Sequence, residues 1–313
     1  MHADGTSAPP RVAVLPEGVR PWLAEAVRAG GGEVVPVAAA DALLWAAPDD
    51  PAALAEVLAA HGDHLPWVQL PWAGVEPYVG VMDAGREWTC GKGVYAEPVA
   101  ELALALTLAG LRGLDRYARA GSWTEVGPVG TNLHGAEVVV VGGGAITASL
   151  LRMLAPFGCR TTVVRRRAER FGGADRTVTL DELDAVLPTA AVVVVAAALT
   201  PATTGLFDAR RLALMGPTSW LVNVARGRHV VTDDLVDALR AGVIGGAALD
   251  VTDPEPLPDG HPLWSLPNCL LTPHVGNTPE MAVPLLAARV SENVRRRGAG
   301  EELLGPVDVA AGY

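Results

Sequence analysis

The chain has 313 residues, which suits two domains of roughly 100–200 residues each better than a single core. Half of its residues are hydrophobic and 19% are charged, a balance that excludes disorder for the bulk of the sequence. The net charge of −11 excludes a broad basic face for nucleic acid, although a few local dipoles and arginines could still hold an anionic cofactor.

Cys90, Cys159 and Cys269 are far apart and have no metal-ligand spacing, so no metal site is expected and three reduced thiols in a cytoplasmic protein are. The start, MHADGTSAPP, lacks an apolar core and does not read as a signal peptide. The apolar runs at 102–111 and 189–199 fall short of the ~20 residues of a membrane helix, so both are read as buried elements and no membrane partner is expected.

Strands and helices alternate along the chain. RVAVL (11–15) reads as a strand before a helix near 20–29, and EVVPV (33–37) and ALLWA (42–46) read as strands. A helix near 51–60 and a strand WVQLP (67–71) follow. A long apolar helix is expected over about 98–113. Beyond it VVVV (138–141), TTVV (161–164), AVVVVAA (191–197), SWLVNVA (219–225), GAALDV (246–251) and NCLLT (268–272) read as strands buried on both faces. Thr179 and Glu182 form a capping box, Thr232 is expected to cap a helix ending at Gly242, and Thr278-Pro279 opens a last helix over 279–298. The stretch 253–267 is too rich in proline for regular structure. The fold class is therefore α/β, with two doubly wound parallel-sheet domains, the second of Rossmann type. The expected bounds are 1–98 plus 279–313 for the substrate domain and 99–278 for the dinucleotide domain.

The strand at 138–141 runs straight into Gly142-Gly143-Gly144-Ala145-Ile146 and then a helix. Gly142 allows a tight turn, Gly144 lets backbone approach a pyrophosphate, and the helix start offers free N–H groups to the anion. A glycine-rich turn without ligand is the bland alternative. Thr147 stands where the fingerprint has its third glycine and is expected to loosen helix–strand packing. The next strand ends in Arg165-Arg166-Arg167 rather than in a carboxylate for the ribose hydroxyls. Either this is a solvated basic run, or Arg165 and Arg166 hold a 2′-phosphate; the second reading favours NADPH over NADH.

Three polar motifs follow three successive strands of the second half: NVARG with Arg226, LDVTDPEP with Asp250 and Glu255, and LTPHVG with His274. The ends of parallel strands are where open α/β sheets bind ligands. Together with LHGAEVVVVGGGAI, LTPATTGLF, GAALDVTDPEPLPDGHPLW and a closing Gly-Tyr, these motifs resemble the D-isomer-specific 2-hydroxyacid dehydrogenases over nearly the whole chain.

The resemblance implies an oxidoreductase that moves a hydride between NAD(P)H and the α-carbon of a small 2-oxo or 2-hydroxy acid of the glyoxylate or hydroxypyruvate type. It implies an active site in a cleft and a homodimer built on the helix at 98–113. It gives Arg226 the substrate carboxylate and carbonyl oxygen, His274 the role of general acid, and Glu255 that of its orienting carboxylate. Asp250 would lie near the nicotinamide carboxamide, Ala145 and Ile146 at the pyrophosphate, and Thr200 and Val224 on the nicotinamide side.

The segment Pro71-Trp72-Ala73-Gly74-Val75-Glu76 resembles the family's substrate loop, whose backbone N–H groups bind the substrate carboxylate. Trp72 departs from the small polar residue common there and is read as a core aromatic rather than a wall facing the substrate. Ala196-Ala197-Ala198 departs from a His-Leu-Pro-like run and puts local cofactor contacts in question. A phosphorylated substrate is disfavoured because no basic cluster is evident in the first domain. Formate is disfavoured because Glu255 stands where formate-oxidising relatives carry an amide. The alternative from another class is a dinucleotide-sensing, corepressor-like binding protein with little turnover.

Overall fold

The computed structural model describes residues 8–123 and 125–312. The first seven residues, read above as part of a segment without a signal peptide, and the closing Tyr313 lie outside the described residues. The chain divides into two compact units, Met1–Tyr95 with Pro279–Tyr313, and Ala96–Thr278.

In the first unit, β1 (Arg11–Leu15), β2 (Glu33–Val34), β3 (Ala42–Trp45), β4 (Trp67–Gln69) and β5 (Glu87–Thr89) form a parallel sheet in the order β2-β1-β3-β4-β5. Helices α1 (Trp22–Ala29) and α2 (Pro51–His61) connect its strands. The run EVVPV pairs only as far as Val34: Pro36 cannot donate to a ladder, and the chain enters a 3-10 turn at Val37–Ala39. Helix α2 begins where Pro51 follows Asp50, whose carboxylate accepts from Ala53 N at 3.0 Å. Strand β5 was not expected, because three residues, EWT, carry no readable period. Long-range bonds hold it instead: Trp67 Nε1 donates to Thr89 Oγ1 at 2.8 Å, and Thr89 Oγ1 donates to Gln69 Oε1 at 2.9 Å. The chain's last helix, Pro279–Ala299, packs on α1, and its buried Asn293 donates to Gln69 Oε1 at 3.1 Å.

In the second unit seven parallel strands take the order β12-β11-β10-β9-β6-β7-β8. They are β6 (Glu137–Val141), β7 (Arg160–Val164), β8 (Arg176–Val178), β9 (Val192–Val195), β10 (Trp220–Asn223), β11 (Gly246–Leu249) and β12 (Cys269–Leu271). Helices α3 (Ala96–Leu111), α4 (Leu114–Arg119), α5 (Ala145–Leu154), α6 (Leu183–Val186), α7 (Ala209–Met215) and α8 (Thr232–Arg240) cover the sheet.

Alternate side chains of one strand enter two different cores, which explains the absence of polar alternation. Val138, Val140, Val192, Val194 and Val222 pack with Ala103 and Leu106 of α3 and Leu150 and Leu154 of α5. Val139, Val141, Val193, Val195 and Leu221 pack with Leu212 of α7 and Leu235 and Leu239 of α8. Each such side chain removed from water contributes on the order of 1.5–3 kcal/mol, so both faces must stay apolar.

Two local expectations differ from the structure. Thr232 does not cap α8 but lies within it, and its hydroxyl donates to Asp253 O at 2.6 Å, tying the helix start to the segment after β11. The stretch 253–267 contains one regular piece, a 3-10 turn at Pro262–Trp264. The capping box is formed, with Glu182 Oε2 accepting from Thr179 N at 2.9 Å. Among the described residues no helix is long and apolar enough to cross a membrane.

Candidate active site

Strand β6 passes into α5 through the glycine turn. Gly142 has φ +122, and a Cβ there would stand 2.4 Å from Ala196 O, so only glycine fits between the ends of β6 and β9. Gly144 precedes α5, a Cβ on it would meet nothing within 4 Å, and no side chain caps the helix. Ala145 is exposed and Ile146 half-buried at the first turn of α5. This open, uncapped helix start fits the pyrophosphate of a dinucleotide.

Thr147 does not loosen the packing as expected. It is fully buried, and its hydroxyl donates to Gly142 O at 2.9 Å, satisfying the first glycine's carbonyl from inside the turn. After β7, the Arg165 side chain folds over Gly143, where an added Cβ would lie 3.1 Å from its carbons, and its guanidinium stands 5.7 Å from the Phe171 ring. Arg166 is exposed. The structure thus brings Arg165 to the glycine turn. Thr200 is half-buried in a loop closed by Thr203, whose hydroxyl accepts from Thr200 N at 2.8 Å. Val224 is 6% exposed and packs in the sheet core.

The three polar motifs converge at the ends of β10, β11 and β12. Asn223, buried at the end of β10, donates through Nδ2 to Arg226 O at 2.9 Å and accepts from Ala225 N at 3.0 Å, shaping the turn that presents Arg226. Gly227 follows because a Cβ there would lie 1.9 Å from the Thr252 carbonyl, so the exit of β11 can come this close only past glycine. His274 Nδ1 lies 2.6 Å from Glu255 Oε1. A carboxylate can only accept, so Nδ1 carries the proton and Nε2 is the face left for chemistry. The hydrogen bond to His274 holds the Glu255 pKa below its ordinary value. The same bond raises His274 above 6.5, against opposing burial. The Arg226 charge, a lesser cause, lowers both groups as well, and its Nη1 donates to Ala225 O at 2.8 Å.

Asp250 shows a role that the motif did not reveal. It is 3% exposed, Oδ1 accepts from Thr272 Oγ1 at 2.6 Å and Val275 N at 2.9 Å, and Oδ2 accepts from Gly276 N at 2.9 Å. Its carbonyl accepts from His274 N at 2.8 Å. His274 has φ +53, the one positive value among the described non-glycine residues, and such a backbone persists only where its surroundings impose it. Asp250 imposes it. His229 was also missed: fully buried, its Nε2 and Nδ1 lie 3.1 Å from Ala197 O and 2.9 Å from Thr203 O, bracing the loop that carries Thr200. Neither partner pair has a spacing that sequence reading can interpret.

In the first unit the turn 71–76 follows β4. The carbonyls of Trp72 and Val75 accept from Gly91 N at 2.8 Å and Tyr78 N at 2.9 Å. The N–H groups of Ala73, Gly74 and Val75 donate to no acceptor among the described residues. Trp72 is half-buried, not a core aromatic, because the Arg20 guanidinium lies 4.1 Å from its ring centroid and keeps that face polar. Among the described residues no group of three or more His, Cys, Asp and Glu side chains could hold a metal ion.

The sequence model described as D-isomer specific 2-hydroxyacid dehydrogenase, NAD binding domain, matches residues 102–276. A protein of Corynebacterium melassecola, named as uncharacterized in the proB 3′ region, is 41% identical over 257 residues, covering 80% of this chain and 84% of its own. Glyoxylate/hydroxypyruvate reductase A of Photorhabdus laumondii is 30% identical over 287 residues, covering 87% of each chain. The crystal structure of a D-isomer specific 2-hydroxyacid dehydrogenase from Xanthobacter autotrophicus, in complex with NADPH and MES, superposes with a TM-score of 0.83 at 28% identity, covering 98% of this chain and 100% of that one. With seven parallel strands, a glycine turn at the end of β6 and the Arg226, Glu255 and His274 motifs at the ends of three further strands, the chain belongs to the D-isomer specific 2-hydroxyacid dehydrogenase family.

Proposed function

We propose that this oxidoreductase reduces a short 2-oxo acid of the glyoxylate or hydroxypyruvate type to the D-2-hydroxy acid, with NADPH as the preferred cofactor. The observation that carries the reading is the 2.6 Å contact between His274 Nδ1 and Glu255 Oε1, with the Arg226 charge acting on both partners. When bound, the reduced nicotinamide supplies the hydride. Arg226 holds the substrate carbonyl oxygen and carboxylate by charge-assisted bonds. His274 donates the proton on Nε2 to that oxygen, while Glu255 keeps Nδ1 protonated and the ring oriented. The N–H groups of residues 73–75, which have no acceptor among the described residues, support a hold on a carboxylate, with Trp72 beside them. Gly142, Gly144, Ala145 and Ile146 take the pyrophosphate; Thr200, Val224 and the remaining lone pairs of Asp250 serve the nicotinamide end.

Since reduction needs protonated His274, its kcat/KM should be high at low pH and fall as pH rises through the raised His274 pKa, above 6.5. In Glu255→Gln that falling limb should shift to lower pH, because the largest raising cause is gone. Superimposable pH profiles for the two proteins would remove Glu255 from this role.

The NADPH preference rests on Arg165 over Gly143, and the NADPH held by the Xanthobacter autotrophicus relative supports it. The ratio of kcat/KM for NADPH over NADH should exceed one and drop about 10-fold or more in Arg165→Ala, the loss expected for a charge-assisted bond to a 2′-phosphate. A wild-type preference for NADH would contradict it. Just beyond the helix Ala96–Leu111, on which the resemblance builds a homodimer, Leu114, Tyr117, Trp123 and Val129 are exposed large apolar residues, Trp123 at 99%, and they support an interface on that side of the unit. The three unpaired cysteines support a reducing, cytoplasmic setting.

A further inference from the structure

In the first unit three loops meet at the C-terminal edge of the parallel sheet, the edge at which such sheets take ligands. Arg20 follows β1, Trp72 follows β4, and Tyr95 follows β5. Arg20 donates from Nη1 to Pro71 O at 3.1 Å and its guanidinium carbon lies over the Trp72 ring, 4.1 Å from the centroid, while the Tyr95 ring meets Trp72 edge-on at 6.3 Å. The guanidinium is half-buried, and no carboxylate among the described residues forms an ion pair with it. Burial works against its charge and lowers its pKa. Tyr95 is 8% exposed, and its hydroxyl is buried with no hydrogen-bond partner among the described residues. Beside this group stand the three unpartnered N–H groups of residues 73–75.

The guanidinium feels the Asp49 charge but has no carboxylate in ion-pair contact among the described residues; with a buried hydroxyl and three open amides beside it, the group has room for one more acceptor bearing negative charge. One carboxylate satisfies the amides. It leaves Arg20 and Tyr95 unsatisfied.

We propose that Arg20, stacked on Trp72 and flanked by Tyr95, is a subsite for a second acidic group on the substrate, extending the range of the enzyme to dicarboxylic 2-oxo acids. Trp72 holds the guanidinium plane in place, so that its outer N–H edge forms a pre-set fork for a carboxylate. The proposal rests on the reading of this chain as a 2-oxo acid reductase and of 73–75 as the hold on the first carboxylate.

The test compares 2-oxoglutarate with 2-oxopentanoate, which has the same chain length without the distal charge. In the wild type, kcat/KM should favour 2-oxoglutarate by about 10-fold or more, as expected for a charge-assisted contact. The preference should collapse in Arg20→Met, which retains apolar bulk over Trp72, and survive in part in Arg20→Lys. Calorimetric Kd values for both acids on the same three proteins give a readout that needs no turnover. A wild-type ratio near one, or a ratio that survives in Arg20→Met, overturns the subsite, as does an equal loss on both acids, which would make Arg20 a brace for the loop. Reduction of glyoxylate without discrimination between the two longer acids sinks the subsite alone. Arg20-dependent binding of 2-oxoglutarate with no reduction of any 2-oxo acid sinks the reductase reading and leaves the subsite standing.

Discussion

Replacing His274 by alanine should lower kcat for 2-oxo acid reduction by about 10²–10⁴, with the Kd for NADPH changed far less. The imidazole is the group whose proton is held by a carboxylate at 2.6 Å and whose pKa is raised by that bond. The glycine turn lies after a different strand, and its backbone geometry does not depend on the imidazole. Steady-state kinetics paired with fluorescence titration of NADPH separates the two quantities. Wild-type turnover in the variant would remove the general acid from the proposed mechanism. A parallel rise in Kd would show that His274 serves binding instead.

Asp250→Asn should be nearly as damaging although it is almost isosteric. Oδ1 accepts from Val275 N and Oδ2 from Gly276 N, so whichever way the amide turns, its NH2 meets a backbone N–H. Burying two donors against each other costs roughly 1–3 kcal/mol, which should appear as a lowered Tm. The larger effect should be on kcat. The turn 272–276 holds His274 at φ +53, and a shift of about 1 Å in a catalytic group can cost on the order of 10²-fold in rate. If Asp250 acts chiefly on His274, NADPH affinity should fall much less than kcat. A variant with wild-type kcat and a native Tm would show that the turn holds itself.

The three polar motifs were legible because each follows a short, continuously apolar strand, and strands of that kind are buried in parallel sheets whose ends are accessible. The glycine turn was legible for the same reason, since local backbone freedom is a property of the residues themselves. Strands β5 and β8, three residues each, were not. Their pairing is set by partners far along the chain, such as Trp88 beside Val68 and Thr177 beside Val163.

By itself, then, the order of residues determined the α/β class, the apolar strands, the glycine turn after β6 and the polar groups at three strand ends. These follow from interactions within a few positions: periodicity, turn conformation and the need to bury both faces of a sheet. Tertiary structure alone decided that Thr147 fills the place of a glycine by bonding to Gly142 O, that Asp250 braces the His274 turn across 25 residues, and that Arg20 lies over Trp72 across 52. A buried hydroxyl, carboxylate or guanidinium takes its role from whatever polar partner the fold brings to it, and spacing along the chain does not encode that partner.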